Sequence, residues 1–79
     1  MDVEIFTKDG CKSSRRAKEF LTRHRIAFVE RNLSVDAGAR AEHARIGYRG
    51  VPVVRAGERT VYGFREQVLG KLLGISRPR

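Results

Sequence analysis

The sequence predicts a small α/β domain with its elements in the order β-α-β-α-β-β-α. Three observations lead there. Apolar strands at 3–6 and 27–33 enclose an amphipathic stretch at 12–24, so the two strands should be parallel with a right-handed crossover. Two short β-rich runs, 51–55 and 60–62, then flank a tight glycine-containing turn, the pattern of a hairpin. The chain has 79 residues, enough for a single domain (1–79). Chains of this length bury only about 60–65% of the surface their unfolded form exposes, so the core must be compact and single.

Val3-Glu4-Ile5-Phe6 is apolar at three of four positions, which suits the middle of a sheet. Over 12–24, Ala17, Phe20, Leu21 and His24 recur on one helical face and leave Arg15, Lys18, Thr22 and Arg25 outside. Ala27-Phe28-Val29-Glu30-Arg31-Asn32-Leu33 is the second strand. Ser34 or Asp36 can cap a helix near 37–46 that Gly47 ends; its apolar face, Ala37, Ala41, Ala44 and Ile46, is thin. Val51-Pro52-Val53-Val54-Arg55, the turn Ala56-Gly57-Glu58-Arg59 and Thr60-Val61-Tyr62 make the hairpin, and Gly63 breaks its second strand. A last helix over 65–74 should turn Val68, Leu69, Leu72 and Leu73 inward, and residues 76–79 should form a mobile polar tail.

Seventeen Lys and Arg against nine Asp and Glu give a formal charge of +8. That excess suits nucleic acid, an acidic protein or an anionic small molecule. The basic residues are spread along the chain and the few aromatics are not interleaved with them, which argues against specific nucleic-acid recognition. One cysteine excludes an intrachain disulfide framework, and His24 and His43 are too far apart in sequence to suggest metal-ligand spacing; no metal site is expected. No apolar run approaches membrane-spanning length and the first strand starts almost at once. The expected setting is therefore cytoplasmic, without signal peptide or membrane segment.

The sole cysteine, Cys11, lies in Thr7-Lys8-Asp9-Gly10-Cys11-Lys12-Ser13-Ser14, where strand gives way to helix. A lone cysteine is ordinarily a small buried hydrophobe. Here glycine, lysine and two serines provide no apolar stripe around it. A thiol at a helix N-terminus meets unpaired N–H groups and the positive end of the macrodipole, and both favour thiolate. Lys8, Lys12, Arg15 and Arg16 add positive charge. Cys11 is thus expected to be reactive, with a pKa well below that of a free thiol. Ser14 stands three residues on, where a redox dithiol would have its second cysteine. A mixed disulfide formed at Cys11 must then be resolved by an outside thiol.

Three motifs at matching intervals resemble the glutaredoxins: Thr7-Lys8 ahead of Cys11, Gly50-Val51-Pro52 opening the third strand, and Gly63-Phe64-Arg65 after the fourth. The resemblance covers roughly residues 3 to 74. It implies a thioredoxin fold of glutaredoxin type, with a four-stranded mixed sheet flanked by helices. It also implies a thiol–disulfide oxidoreductase working by a monothiol mixed-disulfide route. On this resemblance Cys11 is the nucleophile, and Lys8 sits beside the thiolate and meets a glutathione carboxylate. Arg49 is a second carboxylate contact, although Gly50 replaces the usual threonine. Pro52 matches the family's cis-proline, which presents the Val51 backbone to an incoming chain. Ser14 can donate a hydrogen bond to the thiolate.

The Gly63-Phe64-Arg65 run departs from the glutathione-using pattern. There, paired glycines precede acidic side chains that meet the γ-glutamyl amine. Here Tyr62 takes the first glycine's place, Arg65 falls where an acid is expected and Glu66 comes one position late. The run is more similar to the small redoxins that serve ribonucleotide reductase and are recharged by thioredoxin reductase, which carry two cysteines. The implied partners are protein or small-molecule disulfides, together with an external thiol (glutathione or similar) or a thioredoxin-reductase-like reductant. No tightly bound cofactor is implied, and glutathione is expected to be a poor partner. Other readings stay open at this point: a non-catalytic redox-sensing or binding module, an iron–sulfur carrier without the Cys-Gly-Phe-Ser signature, or a dithiol protein whose second cysteine has become serine.

Overall fold

A computed structural model describes residues 2–74; the tail expected at 76–79 lies outside them. The elements are β1 (Val3–Thr7), α1 (Lys12–Arg23), β2 (Val29–Asn32), α2 (Ala37–Ile46), β3 (Val53–Ala56), β4 (Arg59–Tyr62) and α3 (Glu66–Leu73). They build one mixed sheet in the order β2-β1-β3-β4. β1 pairs parallel with β2, Glu4 opposite Val29 and Thr7 opposite Asn32. It pairs antiparallel with β3, and β3 with β4. This is the α/β thioredoxin-type arrangement expected.

The two inner strands read as almost unbroken apolar runs because both faces of the sheet are covered. Ile5, Val3, Val54 and Ala56 pack with Ala17, Phe20 and Leu21 of α1 and Leu69 of α3. Phe6 and Val53 point the other way, against Ala39 of α2, with Leu33 and Ile46 half-buried around them. Beneath α2 the same sheet face carries an ionic cluster. Arg31 Nη1 reaches Glu42 Oε1 at 2.8 Å and Arg55 Nη2 reaches Glu42 Oε2 at 2.8 Å, while both guanidinium groups also meet Glu4. The two guanidinium carbons lie 5.6 and 5.3 Å from the Phe6 ring centroid.

Several expectations are corrected. α2 buries Ala39 and His43 and half-buries Ile46, whereas Ala37, Ala41 and Ala44 face solvent. Asp36 fixes the start of the helix by accepting from the Ala39 N–H at 3.0 Å, and Gly47 ends it in the left-handed region. His43 holds the inner face through Nε2, 2.9 Å from Gly50 O, and lies against Phe6. In α3, Val68 is 40% exposed while Leu69 is fully buried. The second strand is confined to Val29–Asn32, with Phe28 packed on the core just ahead of it. The third begins at Val53, because Gly50 to Pro52 precede the ladder as the loop that borders the site.

Candidate active site

β1 delivers the chain to the site. Thr7 is buried at its end, and Lys8 to Gly10 turn towards α1, with Gly10 at φ +76° in the region that favours glycine. The turn is pinned from the end of β2 and the turn after it: Asn32 Nδ2 donates to Asp9 Oδ1 at 2.9 Å, and the Asp9 N–H donates to Ser34 Oγ at 3.0 Å. Cys11 follows as the N-cap of α1, in extended backbone, and its C=O accepts from Arg15 N at 3.1 Å. The side chain is half-buried and forms no capping bond as a thiol.

The Cys11 thiol is held below its ordinary value, first by the Ser14 hydroxyl and next by the Ser14 N–H. Partial burial opposes them, the Ser13 N–H adds to them, and the Lys8 charge comes last. Helix-end N–H groups and Lys8 thus act in the expected direction, but Ser14 leads. Its Oγ is buried and has no hydrogen-bond partner among the described residues. A buried hydroxyl without a partner costs about 1–3 kcal/mol. An ionised Cys11 offers that hydroxyl an acceptor, because thiolate accepts a hydrogen bond far better than thiol.

Cys11 and Ser14 share a hollow with Lys8, Arg15, Lys18, Glu30 and Asn32. Glu30 is occupied there: Thr7 Oγ1 donates to Oε2 at 2.6 Å and Lys18 Nζ lies 3.0 Å from the same oxygen. The Thr7 donation, and after it Lys18, hold the Glu30 carboxyl below its ordinary range. Lys8 also borders a second hollow, with Arg40, His43 and Arg49. The structure therefore joins Lys8 to Cys11 on one side and to Arg49 on the other. Arg40 was not singled out in the sequence. It anchors to Leu33 O at 2.7 Å, a contact no spacing rule announces.

The Val51–Pro52 peptide is cis, as expected. Val51 is half-buried, and among the described residues neither its N–H nor its C=O takes a protein hydrogen bond. Gly63, at φ +78°, donates its N–H to Pro52 O at 2.7 Å and ties the end of β4 to this segment. Phe64 and Arg65 go elsewhere. Phe64 is half-buried and meets Phe20 edge-on at 6.0 Å, a core contact; Arg65 is the exposed N-cap of α3 and borders neither hollow. Tyr48 and Tyr62 meet with their rings tilted by 48° and centroids 5.0 Å apart. Tyr48 lies close over Gly50: a Cβ there would come within 3.1 Å of its ring, so a larger residue needs the tyrosine to shift by a few tenths of an ångström.

Among the described residues, no three His, Cys, Asp or Glu side chains are grouped to hold a metal ion. No described helix is long and apolar enough to cross a membrane.

The family model described as Glutaredoxin matches residues 3–61. The glutaredoxin-like protein NrdH of Lactococcus lactis subsp. cremoris (strain MG1363) is 30% identical over 70 residues, 89% of this chain and 97% of that protein. Among solved structures, a mutant of the thioredoxin-like protein BC3987 superposes with a TM-score of 0.90 at 28% identity, over 95% of this chain and 97% of that one. The Escherichia coli glutaredoxin-like protein NrdH-redoxin, described as having a thioredoxin-like activity profile, gives 0.83 at 26% identity, over 91% and 95%.

Proposed function

This chain belongs to the glutaredoxin family and is a glutaredoxin-like thiol–disulfide oxidoreductase; on that premise we propose that it works by a monothiol route through Cys11. The Sγ thiolate attacks one sulfur of a substrate disulfide. A new S–S bond joins Cys11 to the substrate, the old one breaks, and the departing thiolate takes a proton from solvent. A second thiolate, from solution or a reductase, then attacks the mixed disulfide and releases Cys11 as thiolate. The observation that carries this reading is the buried, unpartnered Ser14 hydroxyl beside Cys11. It supports the thiolate and supplies no second sulfur.

Lys8 and Arg49 are the carboxylate contacts of a small thiol, and the open Val51 backbone is the dock for a substrate chain, which pairs with it as an added strand. Pro52 and Gly63 hold that segment in place. Phe64 supports the fold from the core, and Arg65, exposed at the N-cap of α3 and outside both hollows, is a specificity charge that acts at a distance on an incoming ammonium. Protein disulfides are the favoured substrates, a cytoplasmic thiol or a thioredoxin-reductase-like enzyme the reductant, and glutathione a poor partner. A thioredoxin-like activity profile in the Escherichia coli relative supports this choice.

Reduction of a protein disulfide and of a glutathionylated peptide, each with excess external thiol, tests the reading. The expected result is turnover that Cys11→Ser abolishes, with the glutathionylated peptide used poorly and improved by Arg65→Asp. Robust deglutathionylation unimproved by that substitution would overturn the assignment of Arg65. Adduct formation without turnover would instead mark a redox-sensing module.

A further inference from the structure

The inner face of α2 carries a histidine where packing alone asks for an apolar side chain. Ala39 of that face meets Phe6 and Val53, and the His43 ring lies 5.9 Å from Phe6 and is only 8% exposed. A polar ring is costly to bury unless its hydrogen bonds are made. His43 Nε2 makes one, 2.9 Å from Gly50 O. A carbonyl oxygen only accepts, so Nε2 carries the hydrogen of that bond. The His43 backbone is engaged as well, its C=O receiving the Gly47 N–H at 3.4 Å. One residue thus ties both the end of α2 and the loop that follows it.

Gly50 O belongs to the peptide unit whose other end is the Val51 N–H. That unit is trans, the cis bond being the next one along, so its C=O and N–H point in opposite directions in one plane. Anchoring the oxygen to α2 therefore turns the Val51 N–H away from α2, where no protein group among the described residues receives it. On the other side of Val51, the Gly63 N–H holds Pro52 O at 2.7 Å. Val51 is set between two held carbonyls while its own N–H and C=O stay open.

We infer that His43 is a positioning residue for the exchange reaction: from α2 it fixes the peptide plane that presents the Val51 N–H to an incoming chain. This role rests on the docking of a substrate chain at Val51 proposed above. Without the bond the Gly50–Val51 unit is free to rotate, and the cost of ordering it falls on binding. His43 touches no reacting atom, so its effect is confined to substrates with a backbone to pair.

The rate of adduct formation at Cys11, followed by intact mass under excess disulfide without added thiol, tests it. One substrate is the symmetric disulfide of a capped, uncharged peptide. The other is bis(2-hydroxyethyl) disulfide, which has no peptide group and no carboxylate. In both, the Cys11 thiolate bonds to one sulfur, the S–S bond breaks and the other half leaves as thiolate. His43→Leu should slow the peptide reaction about fivefold, the worth of one hydrogen bond, and leave the small disulfide within about twofold of the parent. His43→Gln, whose amide N–H can serve the same carbonyl, should restore the peptide rate. Equal losses with both disulfides, no loss with either, or a glutamine variant as slow as the leucine one would overturn the positioning role. Hydrogen exchange on the unaltered protein decides the matter even if His43→Leu does not fold. The His43 Nε2–H should be protected in the free chain and in the peptide adduct, and the Val51 N–H only in the adduct. A His43 Nε2–H that exchanges freely in the adduct would overturn the inference. A Val51 N–H that stays open there would overturn the dock itself, and no adduct with either disulfide would overturn the exchange reaction.

Discussion

Ser14 carries more of the site's chemistry than the lysine that draws attention first. Its hydroxyl is the leading cause of the lowered Cys11 pKa and Lys8 the last. Thiolate is the reactive form, so loss of that donor moves the reactive window to higher pH. Alkylation by iodoacetamide followed against pH should show the Cys11 midpoint moving upward in Ser14→Ala, and by less in Lys8→Gln. A larger shift from Lys8→Gln would mean that charge outweighs hydrogen bonding. The sequence marked Ser14 as the place of an absent second thiol. It also held the clue to its burial, since 14, 17 and 21 share a helical face, but a serine among polar neighbours carries no apolar signal. Arg65 was legible as a charge and not as a position. Phe64 turns inward onto Phe20, and Arg65 is left at the mouth of α3.

Among the elements, α2 and α3 show where pattern and packing part. Alanine is apolar enough to suggest a face and small enough to be left outside, so α2 was phased by its alanines although Asp36, His43 and Phe6 set its rotation. In α3 the apolar arc takes Leu69 inward with Leu72 and Leu73 and leaves Val68 at its edge, 40% exposed. Leu69→Ala should therefore cost about 3 kcal/mol. That corresponds to roughly 12–24 °C in melting temperature for a domain of this size. Val68→Ala should stay within about 0.5 kcal/mol. Comparable losses at the two positions would show that α3 is phased differently.

The ionic cluster under α2 makes a second prediction. Arg55 first, and Arg31 with it, hold the Glu42 carboxyl below its ordinary range. A carboxylate with a depressed folded pKa contributes stability that is present above its unfolded value and is lost as pH falls through the folded one. Melting temperature should thus be flat near neutrality and fall on acidification, and Glu42→Gln should flatten that acid limb. Thermal melts across pH 7 to 3 at fixed salt would check it. An acid limb unchanged by the substitution would remove Glu42 from the cause.

For the molecule as a whole, the order of elements, the parallel β1–β2 pair and the hairpin could all be read from the chain, because each rests on local periodicity and turn residues. Positioning of the site could not. It depends on contacts between residues distant in sequence: Gly63 to Pro52, Asn32 to Asp9, and Thr7 to Glu30. These gather one thiol, a buried donor and the open backbone of Val51 at one end of the sheet, with no second cysteine to complete a cycle. With one thiol, the chain is expected to stop at a mixed disulfide until an outside thiol arrives. Intact mass after mixing with excess substrate disulfide, and no added thiol, tests this most directly. One substrate half should be attached per chain at Cys11, stable over time, and discharged to free protein when a second thiol is added. Catalytic turnover without added thiol, or no adduct on a protein that is otherwise folded, would contradict it.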